Sequence, residues 1–273
     1  MFTPLALRRA LFAPVLASLA FATPAAAAGD LLVAPTRVVL DGARGTEIIL
    51  NNIGADPATY RISLELRRMT PEGNLVEVPV ANSDEQAALS MITFAPRRVT
   101  LAPNQPQSVR VGIRAPEGLP PGEYRAHMLF RAVQDGKSAT AAPAPAQGLS
   151  IALTPIYGIT IPVIVRFGAL DAKAGISNAK IVAEDGRQAV SFDLSRSGDR
   201  SLYGEVRVLR RGESKPVVLV RGIAVYKEVG SRNVTLPVLP EVKGSIAGPA
   251  TIQYAELRED GGRVLAEAEV VLK

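Results

Sequence analysis

With one histidine and no cysteine in 273 residues, composition alone excludes thiolate nucleophiles, thiolate metal sites and His/Cys clusters. His127 stands in GEYRAHMLFR, where Tyr124, Ala126, Met128 and Phe130 share one parity and are apolar. Alternation predicts His127 on the opposite, solvated face beside Arg125 and Arg131, as a surface histidine and not a general base. No two of the 26 carboxylates are singled out for acid–base work, and no D-x-D-x-D-G loop suggests calcium. The runs DGARG and EDGG lack the glycine spacing and the lysine of a phosphate-cradling loop. Tryptophan is absent and aromatics are sparse, which weighs against a sugar platform. The expectation is a protein that is not an enzyme and uses no cofactor or metal.

The residue pattern that does suggest chemistry is recognition along a strand edge. In LSIALTPIYGITIPVIVR (149–166), Leu149, Ile151, Leu153, Pro155, Tyr157, Ile159, Ile161, Val163 and Val165 form one apolar row at period two. Eighteen extended residues would reach roughly 60 Å, about three times an ordinary strand. Either the segment serves two sheets in succession, or part of it is meant for a partner. An exposed apolar edge is otherwise an aggregation hazard.

The elements that must position this segment are strands. Arg8 and Arg9 precede the apolar run Ala10–Ala22 and a small-residue tail, so residues 1–28 are expected to be a cleavable signal peptide. Its apolar core is far short of the ~20 residues of a transmembrane helix, and no later stretch is long enough for stable membrane insertion. Without those two arginines the formal charge falls from +5 to +3 over 245 residues, with no basic stripe for nucleic acid. Beyond the leader, runs at 31–40, 46–52, 59–69, 74–80, 97–101, 107–114 and 122–133 alternate, separated by Gly, Pro, Asn and Asp. SDEQAALSM (83–91) is the only helix-like stretch, short enough to be a loop. A low-complexity run, QDGKSATAAPAPAQG (134–148), precedes the long segment, a second break covers 167–178, and seven more strand-like runs follow. The reading is an all-β protein of two immunoglobulin-like sandwiches in tandem, over 29–166 and 167–273.

The order of features resembles one family, the PapD-like periplasmic chaperones of chaperone–usher pilus assembly. VAPTRVVLDG (33–42) is similar to its first strand, with a Thr-Arg pair before an apolar run, and LNNIGADPATYRISL (50–64) to its second strand and following turn. FAPRRVTLAPNQPQSVRVGIRAPEGLPPGEYRAHMLF (94–130) resembles its most recognisable block. The opening row occupies the place of the strand called G1. The resemblance spans roughly residues 31–166 and is architectural across 173–273.

What the resemblance implies is donor-strand complementation. A fibre subunit lacks one strand of its sandwich, and the chaperone lends alternate residues of its own edge strand to fill the groove before an outer-membrane usher takes the subunit. Two sets of lent residues are open: Tyr157, Ile159, Ile161 and Val163, or Leu149, Ile151 and Leu153. The family grips the subunit's C-terminal carboxylate with a basic pair. Arg37 matches the first member, and its parity with Val33 and Val39 puts it on the apolar face. The second is a lysine in the family. Here no lysine lies between Lys137 and Lys173, and Arg166 is the substitute. The implied location is the periplasm and the implied partners are a pilus or fibre subunit and an usher, with self-association through the edge strand possible. The alternative is a structural or adhesive component of a secreted fibre.

Overall fold

The computed structural model describes residues 31–42, 44–133 and 157–273. The expected signal peptide, the low-complexity run, and Leu149, Ile151 and Leu153 lie outside the described residues.

Strands β1 (Leu31–Ala34) and β2 (Val38–Leu40) come from what reads as one run, 31–40, but belong to different sheets. Pro35 has no N–H for a ladder, and the chain crosses there from one layer to the other. One sheet of the first sandwich has the order β1-β3-β9-β7, adding β3 (Thr46–Asn52), β9 (Pro106–Ile113) and β7 (Ile92–Ala95). The other has the order β2-β11-β10-β4-β8, adding β11 (Gly158–Phe167), β10 (Gly122–Val133), β4 (Ala58–Glu65) and β8 (Arg98–Leu101). Their inner rows meet in one core: Ile48, Leu50, Val109 and Val111 face Tyr60, Ile62, Met128, Phe130, Ile161 and Val163.

The run 83–91 is helix α1 (Ser83–Met91), because Asn82 and Glu85 form a reciprocal capping box at its start. Its Ala88 and Met91 join the core. Near the start of β10, the Tyr124 hydroxyl donates to the Pro120 carbonyl at 2.7 Å, the tyrosine corner of immunoglobulin-like folds. A small ribbon, β5 (Arg67–Met69) with β6 (Leu75–Glu77), leaves the end of β4.

Residues 168–171 connect to the second sandwich. Gly168 has φ +83, and an added Cβ would stand 2.7 Å from Pro121, so this turn admits only glycine without rearrangement. The expected break at 167–178 is shorter than its composition suggests. Strand β12 (Ala172–Glu184) already runs through it and bends at a bulge between Ser177 and Lys180, where Asn178 takes φ 56. Strand β12 pairs with β13 (Arg187–Gly198), and β13 with β16 (Ser231–Pro237). The facing sheet is β15 (Pro216–Val225), β14 (Leu202–Arg210), β17 (Gly248–Ala255) and β18 (Val264–Leu272), in that order. All seven of these strands lie within expected runs or extend them. The molecule is thus all-β, two immunoglobulin-like sandwiches with separate cores.

The second core reaches back into the first sandwich. Met69 and Ile164 are buried members of it, and Val39 packs against it. Strand β11 is therefore apolar on both faces near its end: Ile161, Val163 and Val165 point into the first core and Ile164 into the second. The run PVIV (162–165), apolar at both parities, is the sequence trace of that double burial.

Candidate functional site

Two faces meet where the sandwiches join, and the expected arginines both lie there. Arg37 stands in the bend before β2. Because the chain changes sheets at Pro35, Val33 faces the first core and Val39 the second, and Arg37 shares the side of Val39. Its guanidinium lies over the Tyr203 ring, 4.5 Å from the centroid, a cation–π contact between sandwiches. Its buried Nε has no hydrogen-bond partner, and among the described residues Arg37 forms no ion pair. Burial, followed by repulsion from Arg166, lowers its pKa from the ordinary arginine value.

Arg166, on β11, is already engaged. Its Nε donates to Glu123 Oε2 at 3.1 Å and its Nη2 to the Ser201 carbonyl at 3.3 Å. Glu123, on β10, is buried and also accepts from the Ser201 N–H at 3.0 Å and hydroxyl at 2.8 Å. Three groups share one carboxylate, which satisfies its buried charge and ties the two sandwiches together. The structure thus brings Arg37 and Arg166 to one junction but gives them unequal states, one open and one neutralised.

The expected donor residues divide in the same way. Ile161 and Val163 are fully buried in this protein's own core, and Ile159 packs against that core. They stand opposite Met128, Ala126 and Phe130 on β10 and share the inward parity of those side chains. Tyr157 is 52% exposed and is the one member of that set left available.

The backbone beside them is open. Strand β2 pairs with β11 in parallel only at Val163–Val165, so among the described residues Gly158–Pro162 has no strand on that side. The Ala132 N–H donates to the Tyr157 carbonyl at 3.1 Å, which fixes the alternation. Tyr157, Ile159 and Ile161 turn their peptide groups to β10, and Gly158, Thr160 and Pro162 turn theirs to the open edge. Since Val38 stands opposite Val163, Arg37 stands where the open edge ends.

His127 is the clearest departure from expectation. It is buried, not solvated, with neither ring nitrogen hydrogen-bonded, and packs edge-on to Tyr226 at 6.4 Å. Its pKa is pushed down to about 3, first by burial and then by Arg125 and Arg67. Beside it Arg125 lies over the Tyr226 ring at 3.7 Å and binds Glu228 with both Nη atoms, at 3.1 and 2.5 Å. The outer face of β10 is covered because the second sandwich docks there, which a single-strand pattern does not register. Tyr203, Tyr226, Glu123, Ser201 and Glu228 were not singled out by the sequence, since each gains its role from a partner far along the chain.

No group of three potential metal ligands occurs among the described residues, and no helix among them is long and apolar enough to cross a membrane. No family model and no curated protein matches the chain. It is similar to solved structures that are described as chaperones. With the YadV chaperone it shares 14% identity over 88% of this chain and 100% of that one, at a TM-score of 0.47. The E. coli chaperone DraB gives 15% over 90% and 98%, at 0.46. The CsuC–CsuE chaperone–tip adhesion subunit pre-assembly complex of Acinetobacter baumannii Csu pili gives 11% over 89% and 99%, at 0.45. All three likenesses are distant.

Proposed function

We propose that the chain is a periplasmic chaperone for the subunits of a pilus or similar surface fibre, with units over 29–166 and 167–273 behind a cleaved leader. The observation that carries this reading is Arg37, whose buried Nε has no hydrogen-bond partner and which forms no ion pair among the described residues, held on a tyrosine at the end of an open strand edge. A buried guanidinium N–H without a partner is costly, and a docked carboxylate would satisfy it.

In this reading a subunit strand adds to β11 along Gly158–Pro162, running parallel to it as β2 does. Main-chain hydrogen bonds hold the strand, and its terminal carboxylate reaches Arg37 as the guanidinium's missing acceptor. Alternate residues ahead of Ile159, namely Tyr157 with Leu153, Ile151 and Leu149, fill the subunit's incomplete core. Each large aliphatic side chain so buried contributes about 1.5–3 kcal/mol. Arg166 braces the junction through Glu123. The subunit then passes to an outer-membrane usher.

Co-expression with an incomplete-sandwich fibre subunit tests the reading. A soluble complex of equal stoichiometry is expected, and equal soluble recovery of the subunit without this protein would overturn it.

A further inference from the structure

Pro162 has a place in the fold that its neighbours do not share. Of the three residues that turn their peptide groups to the open edge, Gly158 and Thr160 offer both an N–H and a C=O, while Pro162 offers only a C=O. The next outward-facing residue, Ile164, is already occupied by β2. A proline on the outer edge of a strand is tolerated because the inner ladder is untouched. Here it also leaves the open edge with no donor between Thr160 and the start of β2.

Resting on the strand-addition reading, we infer that Pro162 sets the register of the docked strand, ending its ladder at Thr160 so that its terminal carboxylate is left to Arg37. In a parallel ladder, each outward residue of β11 donates its N–H to one guest carbonyl and accepts the N–H two residues further along. A guest stopping at Thr160 has every carbonyl along the ladder served, and its carboxylate lies beside the bend that holds Arg37. A guest advanced by two residues would set a carbonyl against the pyrrolidine ring, where no N–H can meet it, and would run its end into Val38. Any other residue at 162 would supply an N–H there. That donor would support the advanced register and compete with the guanidinium for the carboxylate. Side chains on a flat edge specify register weakly, so a missing backbone donor is an effective stop.

Two ten-residue peptides of alternating valine and threonine serve as probes, one with a free C-terminal carboxylate and the other its C-terminal amide. Binding is followed by the amide resonances of Gly158 and Thr160 in the whole protein, whose spectra also report folding. Wild type should bind the free-carboxylate peptide about ten-fold more tightly than the amide. In Pro162→Ala and Pro162→Thr that preference should shrink to about two-fold, with affinity for the first peptide within about three-fold of wild type. An unchanged preference in both folded variants overturns the register role alone. If no peptide shifts Gly158 or Thr160 in wild type, strand addition itself fails and the register role falls with it.

Discussion

Two arginines of the first sandwich lie on tyrosine rings of the second, and among the described residues only one of them forms an ion pair. Arg125 rests on Tyr226 at 3.7 Å, and both its Nη atoms are held by Glu228, which also accepts the Met69 N–H at 2.6 Å. Arg37 rests on Tyr203 at 4.5 Å, and among the described residues it has no ion pair and its Nε no hydrogen bond. The first arrangement is a structural joint: charge, countercharge and platform all come from the chain. The second contains the same parts without the carboxylate, beside an edge where another chain's end could supply it. The difference separates what holds the sandwiches together from what remains to be filled.

Acid should break the completed joint through His127, and this is the largest effect expected. Its folded pKa of about 3 lies below the unfolded value of 6.5, so the unfolded chain binds more protons between them. Stability from the neutral imidazole is therefore present above pH 6.5 and lost as pH falls toward 3, with a slope approaching about 1.4 kcal/mol per unit. Burial is the first cause of the depression, with Arg125 and Arg67 adding repulsion against the charged ring. Denaturant unfolding from pH 7 to 4 should show His127→Phe losing less stability than wild type. Parallel curves would mean that the imidazole does not titrate with unfolding.

Removing one charge from each site sharpens the contrast. Glu228→Ala should cost about 2 kcal/mol of stability, less than the roughly 3–5 of a fully buried pair, because Glu228 is 23% exposed. Arg37→Ala removes a cation that has no partner, so stability should stay within about 1 kcal/mol of wild type. Capture of a fibre subunit with a free C-terminus should instead weaken by roughly 2 kcal/mol, about thirty-fold. Thermal melts and a subunit pull-down measure the two effects. An Arg37 variant that melted as early as Glu228→Ala would make Arg37 a second structural joint.

The same contrast explains what the sequence can and cannot report. Period-two rows such as Tyr60, Ile62 and Leu64 locate strands because the pleat is local, and two layers follow from their number. Arg37 entered through the family resemblance, and its parity with Val33 and Val39 put it on an apolar face. The side it faces was not legible, since the crossing at Pro35 moves Val33 and Val39 into different cores. His127 shares its parity with Arg125 and Arg131, a polar row that looks solvated until a second sandwich covers part of it. Ile161 and Val163 look the same whether they fill this protein's core or a partner's, and only pairing with β10 decides between them. Tyr203 and Glu228 carry no local signal, because their partners lie more than a hundred residues away.

The smallest predicted effect tests whether the ring under Arg37 is part of the site or merely its floor. Tyr203 comes from the second sandwich, so the proposed anchor spans the junction. Tyr203→Phe keeps a π face beneath the guanidinium and should bind a free-carboxylate peptide within about two-fold of wild type. Tyr203→Ala leaves the guanidinium free to swing and should weaken that peptide by about 1 kcal/mol, roughly five-fold. The C-terminal amide, which never engages Arg37, should bind both variants as it binds wild type. That difference separates a platform from a packing residue, since a packing defect would weaken the acid and the amide alike. An equal loss for both peptides would leave Arg37 as the anchor and remove Tyr203 from it.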